Sequence, residues 1–205
     1  ETGRETQYGA RARVEHPLKV VVVGGGPGGM KAAAVAAECG HRVTLYERGR
    51  RLGGQALLAQ LLPHRAEFGG IVTNLAREMA LAGVAVRIGV EATAALIARE
   101  TPDHVILATG TRPRLPAIEG GEGIQILHAH DVIEKRARTG QRVVIYDWLA
   151  DWTGVGIAEQ LAGEGVHVRL AVNAPCAAFA IQNYTRDAAI ARLFKLGVEV
   201  IPFMR

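Results

Sequence analysis

The chain has 205 residues, of which 49% are hydrophobic and 21% charged, so it can bury the core of one large or two small domains. Its formal net charge is +4, but the basic residues are scattered and form no stripe interleaved with aromatic side chains, which argues against nucleic-acid binding. The two cysteines lack metal-ligand spacing, and neither a signal peptide nor a membrane-spanning apolar run is visible, so we expect a reduced, cytoplasmic protein that binds no membrane.

Residues 1–17 are polar and lack periodicity, which predicts an arm or linker ahead of the first domain. The chain begins with Glu rather than Met and stops just after an apparent strand. Both ends lead us to expect part of a longer polypeptide.

A cluster of glycines follows the first predicted strand directly. Four β-branched residues at 20–23 indicate a strand buried on both faces, and an alanine-rich helix is predicted at 30–40. Between them lies the pattern G-x-G-x-x-G, in which Gly24 suits a tight turn, Gly26 backbone contact with a pyrophosphate and Gly29 close helix–strand packing. The helix N-terminus adds free N–H groups and a partial positive charge. This context predicts a dinucleotide site rather than a turn alone.

An acidic residue ends the next strand, which is predicted at 42–46. Glu47 lies about 20 residues beyond the glycine pattern, where dinucleotide sites place an acid that accepts hydrogen bonds from ribose hydroxyls. A 2′-phosphate there would meet like charge, which disfavours NADP, although Arg48, Arg50 and Arg51 could soften that repulsion. FAD, ADP and NAD all remain compatible with Glu47.

The rest of the chain predicts further strands and helices. Gly53 and Gly54 form a second flexible turn, which is either an ordinary loop or a backbone cradle near a cofactor. The predicted elements that follow are helices at 68–82 and 91–100 with strands at 84–88 and 104–108, a break through Pro113 and Pro116, strands at 142–146, 166–172 and 198–201, and helices at 156–163 and 183–196.

Two βαβ-type units in tandem resemble an internal duplication, with a boundary between residues 110 and 140. They predict an α/β fold of two Rossmann-like units with parallel sheets and flanking helices. The predicted organisation is a linker arm at 1–17, a first nucleotide-binding domain at 18–116, a connector at 117–140 and a second Rossmann-like unit at 141–205.

Other candidate sites are weaker. His128, His130 and Asp131 could hold a metal only if one face presented both imidazoles, and we favour a polar loop between the domains. Cys39 and Cys176 suit packing better than reaction. No nucleophilic triad stands out.

The runs KVVVVGGGPGG, HRVTLYERGRRLGGQ and VILATGTRPR, spread over residues 19–114, resemble the flavin-binding part of two-dinucleotide-binding-domain flavoproteins. More narrowly, they are similar to the C-terminal half of the trimethylamine dehydrogenase and 2,4-dienoyl-CoA reductase group. Those proteins are large iron–sulfur flavoenzymes in which a barrel domain carries FMN and the cluster. The resemblance is looser after residue 114, and Gly3-Arg4-Glu5 is similar to the linker that follows the cluster cysteines.

Cofactor-binding residues follow from this resemblance position by position, and it implies FAD, or ADP alone, at the first site. The residues so assigned are Gly24, Gly26, Pro27, Gly28, Gly29, Glu47, Arg48, Gly54, Gln55, Val90, Thr109 and Gly110. Of these, Gly24, Gly26 and Gly29 correspond to the pyrophosphate loop and Glu47 to the acid that binds the ribose. Gly54 and Gln55 match the turn beside the nucleotide, Val90 matches the adenine position, and Thr109 and Gly110 match the ATG motif that closes over the cofactor. In this group a segment returning after the second unit completes the flavin domain, so we expect the ADP end to be the more complete.

The second unit departs from the pattern of the reductases. Where a glycine loop for a nicotinamide nucleotide would follow the strand at 142–146, the sequence reads YDWLADWTGVG. Trp148 or Trp152 would occupy the space of a pyrophosphate, and Asp147 or Asp151 would cap the helix and repel phosphate. We therefore expect no NADPH there, as in amine dehydrogenases and N-methylproline-type demethylases. The alternative is an intact but atypical NADPH site.

The resemblance implies the nucleotide-binding C-terminal fragment of an iron–sulfur flavin oxidoreductase, a dehydrogenase or demethylase of methylated amines. The chemistry would occur at FMN in a barrel domain outside this chain. The chain itself is then expected to hold no catalytic residues and no metal ligands, and to be inactive alone. Expected partners are the barrel domain and an electron-transferring flavoprotein. The alternatives are an NAD(P)H-dependent flavin reductase of the 2,4-dienoyl-CoA reductase type and an interaction module that binds no nucleotide.

Overall fold

The computed structural model describes residue 3 and residues 12–115, 118–119 and 122–204. Most of the predicted linker arm and the predicted break at Pro116 therefore lie outside the described residues. The chain divides into two compact units. The first runs to Leu57 and continues over Glu67–Arg112, and the second comprises Leu58–Ala66 and the chain from Pro113 onwards. Residues 58–66, which the predicted first domain had included, thus pack with the second unit.

The first unit contains a four-stranded parallel sheet in the order β3-β2-β1-β4. Its strands are β1 (Lys19–Val23), β2 (Arg42–Glu47), β3 (Ala85–Ile88) and β4 (His104–Leu107). Its helices are α1 (Pro27–Glu38), α3 (Phe68–Ala82) and α4 (Ala94–Glu100), and the short α2 (Ala56–Ala59) lies where the chain passes to the second unit.

The central strand β1 is buried because its valines face apolar neighbours on both sides. Val21 and Val22, which point to opposite faces, are both 0% exposed, as the run of β-branched residues predicts. Helix α1 packs on this sheet and on α3, and Ala33 and Ala34 are also 0% exposed. Small side chains let the helix axis lie close to the strands, so the sequence-predicted βαβ unit forms around an alanine-rich contact.

The second unit contains a three-stranded parallel sheet in the order β5-β6-β7. Its elements are α5 (Ala129–Ile133), β5 (Arg142–Asp147), α6 (Trp152–Gly163), β6 (His167–Val172), α7 (Asn183–Lys195) and β7 (Glu199–Ile201). The buried core joins Leu170 and Val172 of β6 to Ala158 of α6 and Leu193 of α7, and Leu62 enters it from residues 58–66. Parallel sheets with flanking helices in both units confirm the predicted fold class.

Three local expectations need correction. Helix α1 begins at Pro27 rather than at residue 30, because proline is tolerated at the first helical position. Helix α6 begins at Trp152 rather than at residue 156, because the Asp151 side chain accepts a hydrogen bond from the Thr153 N–H. The segment at 128–131, predicted as a polar loop, begins the short helix α5, whose Val132 and Ile133 are buried in the second core. None of the helices in the described ranges has the length and apolar character needed to cross a membrane.

Two adjacent glycines of α1 allow a matched test of the helix–strand approach. A Cβ added to Gly29 would lie 1.9 Å from the carbonyl oxygen of Gly24, whereas a Cβ added to Gly28 would meet no atom within 4 Å. We expect Gly29→Ala to destabilise the chain by about 3 kcal/mol, because backbone must move to make room. Gly28→Ala should melt within a few degrees of the wild type. Thermal unfolding followed by circular dichroism measures both, and equal melting temperatures would contradict this account of the packing.

Candidate functional site

The glycine loop after β1 makes a turn that only glycine can occupy. Gly24 has φ +110°, and a Cβ there would lie 2.3 Å from the carbonyl oxygen of Ala108 at the end of β4. Gly29, the third residue of α1, lies against the carbonyl group of Gly24. The loop therefore passes tightly between two strands before it enters the helix.

The N-terminus of α1 presents hydrogen-bond donors without acceptors. No side chain caps the helix at Gly26, and Pro27 has no N–H to satisfy. Within the described part of the chain, the N–H groups of Gly28 and Gly29 have no acceptor. A Cβ on Gly26 would reach only the Cα of Gly54, at 4.0 Å, so the backbone there can be approached closely. Free N–H groups and the helix dipole together suit an anion.

The carboxylate of Glu47 lies beside this loop and is held by backbone amides. Its Oε2 accepts a hydrogen bond from the Gly25 N–H at 2.6 Å, and its Oε1 accepts one from the Gly49 N–H at 2.6 Å. A carboxylate has about four acceptor positions, so each oxygen can accept a further hydrogen bond. The carbonyl group of Glu47 accepts from the Val90 N–H, which brings residue 90 to the same end of the sheet.

The second glycine turn, at Gly53 and Gly54, packs against the glycine loop that follows β1. The Gly53 N–H donates to the Gly25 carbonyl at 2.8 Å, and a Cβ on Gly54 would lie 3.0 Å from the Cα of Gly26. The side-chain nitrogen of Gln55 donates to Thr111, at 3.1 Å to its carbonyl oxygen and 3.0 Å to its Oγ1.

The structure thus gathers most of the sequence-assigned residues at the carboxyl ends of β1, β2 and β4. Thr109 and Gly110 follow Ala108 directly and are exposed, as is the side chain of Arg48. Sequence reasoning missed four contributors: Gly25, Gly49, Ala108 and Thr111. The run of three glycines at 24–26 could have indicated Gly25, whereas no sequence signal distinguishes Thr111.

The corresponding turn of the second unit is filled by a carboxylate. Gly154, like Gly29, is the third residue of its helix, and a Cβ there would lie 2.3 Å from Oδ2 of Asp147. Oδ1 of Asp147 accepts the Ala150 N–H at 2.9 Å, while Asp151 caps the helix. Both acidic residues named from the sequence therefore satisfy backbone donors themselves.

The expectation that Trp148 or Trp152 takes the space of a pyrophosphate stays a prediction; the side chain that lies against Gly154 is that of Asp147. Trp148 is 58% exposed and contacts the ring of Tyr146 at a centroid separation of 6.2 Å. Trp152 packs partly against the second core, with the guanidinium carbon of Arg65 3.4 Å from its ring centroid. The group against the first turn of α6 is the carboxylate of Asp147, because this side chain is shorter than that of a tryptophan and fits beside Gly154.

The pKa of Asp147 is raised from 3.8 to about 6: burial is the largest cause, the hydrogen bond from the Ala150 N–H opposes it, and the nearby carboxylate of Asp151 adds to the rise. Its Oδ2 is buried and has no hydrogen-bond partner among the described residues. Relative to a free aspartate, the folded chain therefore favours the neutral acid, which predominates below about pH 6, whereas the carboxylate predominates above it.

Other polar clusters give no site. In the ranges that the structure describes, His, Cys, Asp and Glu side chains form no group of three or more that could hold a metal ion. Asp131 instead pairs with Arg136 at 2.9 Å. Cys39 and Cys176 are free thiols and partly buried.

The fold and the glycine loop are those of a Rossmann-type nucleotide-binding unit, which is followed by a second unit with the same architecture. Residues 18–202 match the family model described as pyridine nucleotide-disulphide oxidoreductase, and the chain belongs to that family.

Curated relatives include N,N-dimethylglycine/sarcosine dehydrogenase of Chromohalobacter salexigens, which is 41% identical over 74% of this chain and 23% of that protein. NADH oxidase of Thermoanaerobacter brockii is 38% identical over 98% of this chain and 32% of that protein. A probable N-methylproline demethylase of Rhizobium meliloti is 36% identical over 82% of this chain and 25% of that protein.

Among solved structures, 2-naphthoyl-CoA reductase in complex with 2-naphthoyl-CoA superposes with a TM-score of 0.86 and 26% identity, over 96% of this chain and 29% of that chain. The chain spans between about a quarter and a third of the length of these proteins.

The pKa of Asp147 predicts a pH dependence of stability. Because the folded-state pKa is raised, the stabilising contribution is fully present below pH 3.8 and is lost as the pH rises through about 6. Relative to Asp147→Asn, the wild type should gain about 1 kcal/mol of unfolding free energy between pH 7.5 and pH 5. Urea unfolding at both pH values measures this difference. Asp187→Asn, at an exposed carboxylate, is the control, and parallel pH profiles for wild type and Asp147→Asn would contradict the assignment.

Proposed function

We propose that the first unit binds the ADP portion of FAD, or ADP itself, and that this chain serves an iron–sulfur flavin oxidoreductase acting on methylated amines. The observation that carries the first part is the pair of free N–H groups at Gly28 and Gly29 beside an amide-held Glu47. A diphosphate suits the helix N-terminus, and ribose hydroxyls suit the carboxylate.

The residues present fit such a ligand. The backbone at Gly26 and Gly28 has room for close approach, since added Cβ atoms would meet almost nothing. Both oxygens of Glu47 keep acceptor capacity after their bonds to Gly25 and Gly49. When bound, FAD would supply an isoalloxazine ring for electron transfer, whereas ADP would supply binding energy alone.

The second unit is proposed to hold no nicotinamide nucleotide. The carboxylates of Asp147 and Asp151 already accept hydrogen bonds at the turn that a pyrophosphate would need. Asp147 also lies against Gly154, so a phosphate would meet both steric overlap and like charge.

The proposed amine substrates rest on relatives rather than on this chain's own residues. Two of the curated relatives are a dimethylglycine/sarcosine dehydrogenase and a probable N-methylproline demethylase. Since this chain spans a quarter or less of either one, we place the chemistry in a part of the protein outside it, an FMN barrel with an iron–sulfur cluster. An electron-transferring flavoprotein is the proposed acceptor, and the cytoplasm the proposed location.

A second candidate is a flavin reductase that uses NADH. The NADH oxidase relative matches nearly the whole chain, and Glu47 would accept the ribose hydroxyls of NAD as readily as those of ADP. This candidate needs a nicotinamide nucleotide in one of the two units, so nucleotide titrations separate it from the first.

Thermal-shift titration tests the proposed ligands directly. ADP or FAD at a hundred times its dissociation constant should stabilise the chain by about 2.7 kcal/mol, which raises the melting temperature by several degrees. NADPH should leave it unchanged, because the first unit disfavours a 2′-phosphate and the second is filled. Stabilisation by NADPH or NADH but not by ADP would favour the reductase, and no stabilisation by any nucleotide would favour an interaction module.

Substitution of the ribose acid tests its role. Glu47→Gln should weaken ADP binding about tenfold, since it removes the charge from the acceptor of the ribose hydroxyls. It should also lower stability by about 1–3 kcal/mol, because an amide NH₂ then faces a backbone N–H. Isothermal titration calorimetry on the folded variant measures the affinity. Glu78→Gln removes a surface carboxylate paired with Lys31 and should bind like the wild type. Equal affinity of Glu47→Gln and wild type would exclude Glu47 from the site.

A further inference from the structure

We infer that Gln55 acts as a clamp: its side chain holds the loop at 108–111 beside the glycine loop and so sets how long a nucleotide stays bound. This inference rests on the proposed nucleotide site of the first unit. It assigns Gln55 a positioning role, in place of the direct cofactor contact that sequence resemblance implies.

The hydrogen bonds of Gln55 join segments far apart in the chain. One NH₂ group donates to both the carbonyl oxygen and the Oγ1 of Thr111, 56 residues away. Gln55 is exposed, so core packing does not explain its side-chain position. Both distances are those of ordinary hydrogen bonds, and both acceptors belong to one residue.

The base of the clamp is fixed to the pyrophosphate loop. Gly53 donates to the carbonyl of Gly25, and Gly54 lies against Gly26 with no room for a side chain. Gln55 follows these two residues directly. Its side chain therefore starts from backbone that cannot shift without moving the glycine loop.

The far end of the clamp is a loop with little other support. Ala108 is tied to β1 by a hydrogen bond from its N–H to the Val23 carbonyl at 2.8 Å. In the part of the chain that the structure describes, Thr109 and Gly110 make no hydrogen bond, and Gly110 has φ +71° with open space around it. The bonds from Gln55 to Thr111 are thus what fixes the path of this loop after Ala108.

These contacts join the glycine loop, which leads into α1, to the turn at 53–55 and to residues 108–111 in one closed ring. Gly24 contacts Ala108, the glycine loop is bonded to the turn at 53–55, and Gln55 of that turn is bonded to Thr111. The chain from Thr111 back to Ala108 completes the ring. A diphosphate held by the free N–H groups would be bordered by residues 109–111, so release requires the Gln55–Thr111 bonds to open. Breaking the clamp should speed dissociation more than it slows association.

The test uses FAD, whose dissociation is followed by the recovery of flavin fluorescence after excess ADP is added. The variants are Gln55→Ala, Thr111→Val, which removes only the hydroxyl, Thr111→Ser, which keeps it, and the double variant Gln55→Ala/Thr111→Val. Gln141→Ala, at an exposed glutamine of the second unit, is the matched control.

We expect FAD to dissociate about tenfold faster from Gln55→Ala, which loses two hydrogen bonds, and about threefold faster from Thr111→Val, which loses one. Thr111→Ser and the control should match the wild type, and the double variant should match Gln55→Ala, because both changes remove the same contact. Melting temperatures without nucleotide should stay within about 2 °C of the wild type, since both side chains are exposed.

Other outcomes separate the alternatives. A faster rate for Gln55→Ala with a wild-type rate for Thr111→Val would overturn the clamp in favour of direct contact of Gln55 with FAD. A double variant in which the effects of the two single variants multiply would overturn it in the same way. Wild-type rates in all variants would overturn it altogether. If the wild type binds neither FAD nor ADP, the proposed function fails first, and the titrations above identify that failure independently.

Discussion

The unsatisfied N–H groups at a helix N-terminus are the constraint on which both units depend. In a βαβ unit the turn between strand and helix lies at the carboxyl edge of the sheet, and its backbone donors need acceptors. The first unit supplies no acceptor to Gly28 and Gly29 from the described residues, which leaves that edge suited to an anion. The second unit supplies two carboxylates from its own chain: Asp147 accepts the Ala150 N–H and Asp151 accepts the Thr153 N–H.

The two units therefore share one fold but differ at the carboxyl edge of the sheet. Both helices place glycine at their third position, and in both an added Cβ would overlap the preceding turn. The partner differs: a backbone carbonyl in the first unit and a buried carboxylate in the second. The acidic side chain near the first loop, Glu47, comes from the neighbouring strand, stays partly exposed and accepts hydrogen bonds from two loop amides. Function in such folds resides in these local groups rather than in the sheet.

The second glycine turn links the loop to the rest of its unit. Gly53 and Gly54 touch the glycine loop through backbone alone, and Gln55 extends the contact to Thr111. Immediately after this turn the chain leaves the first unit, and Leu62 packs in the second core. His64 there meets Glu159, whose Oε1 also accepts a hydrogen bond from Arg192, so a single buried carboxylate ties residues 58–66 to two helices of the second unit.

The strands, the main helices, the glycine loop and the place of Glu47 at the end of β2 could all be predicted from the sequence. These depend on local spacing: β-branched runs, the backbone freedom of glycine at Gly24 and an acid at the end of the next strand. Three features could not be predicted in this way: the bonds from Gln55 to Thr111, the packing of residues 58–66 with the second unit and the position of Asp147 against Gly154. Contacts between residues far apart in the chain depend on how the elements pack, and burial fixes which side chain reaches a given backbone donor. No local pattern encodes either.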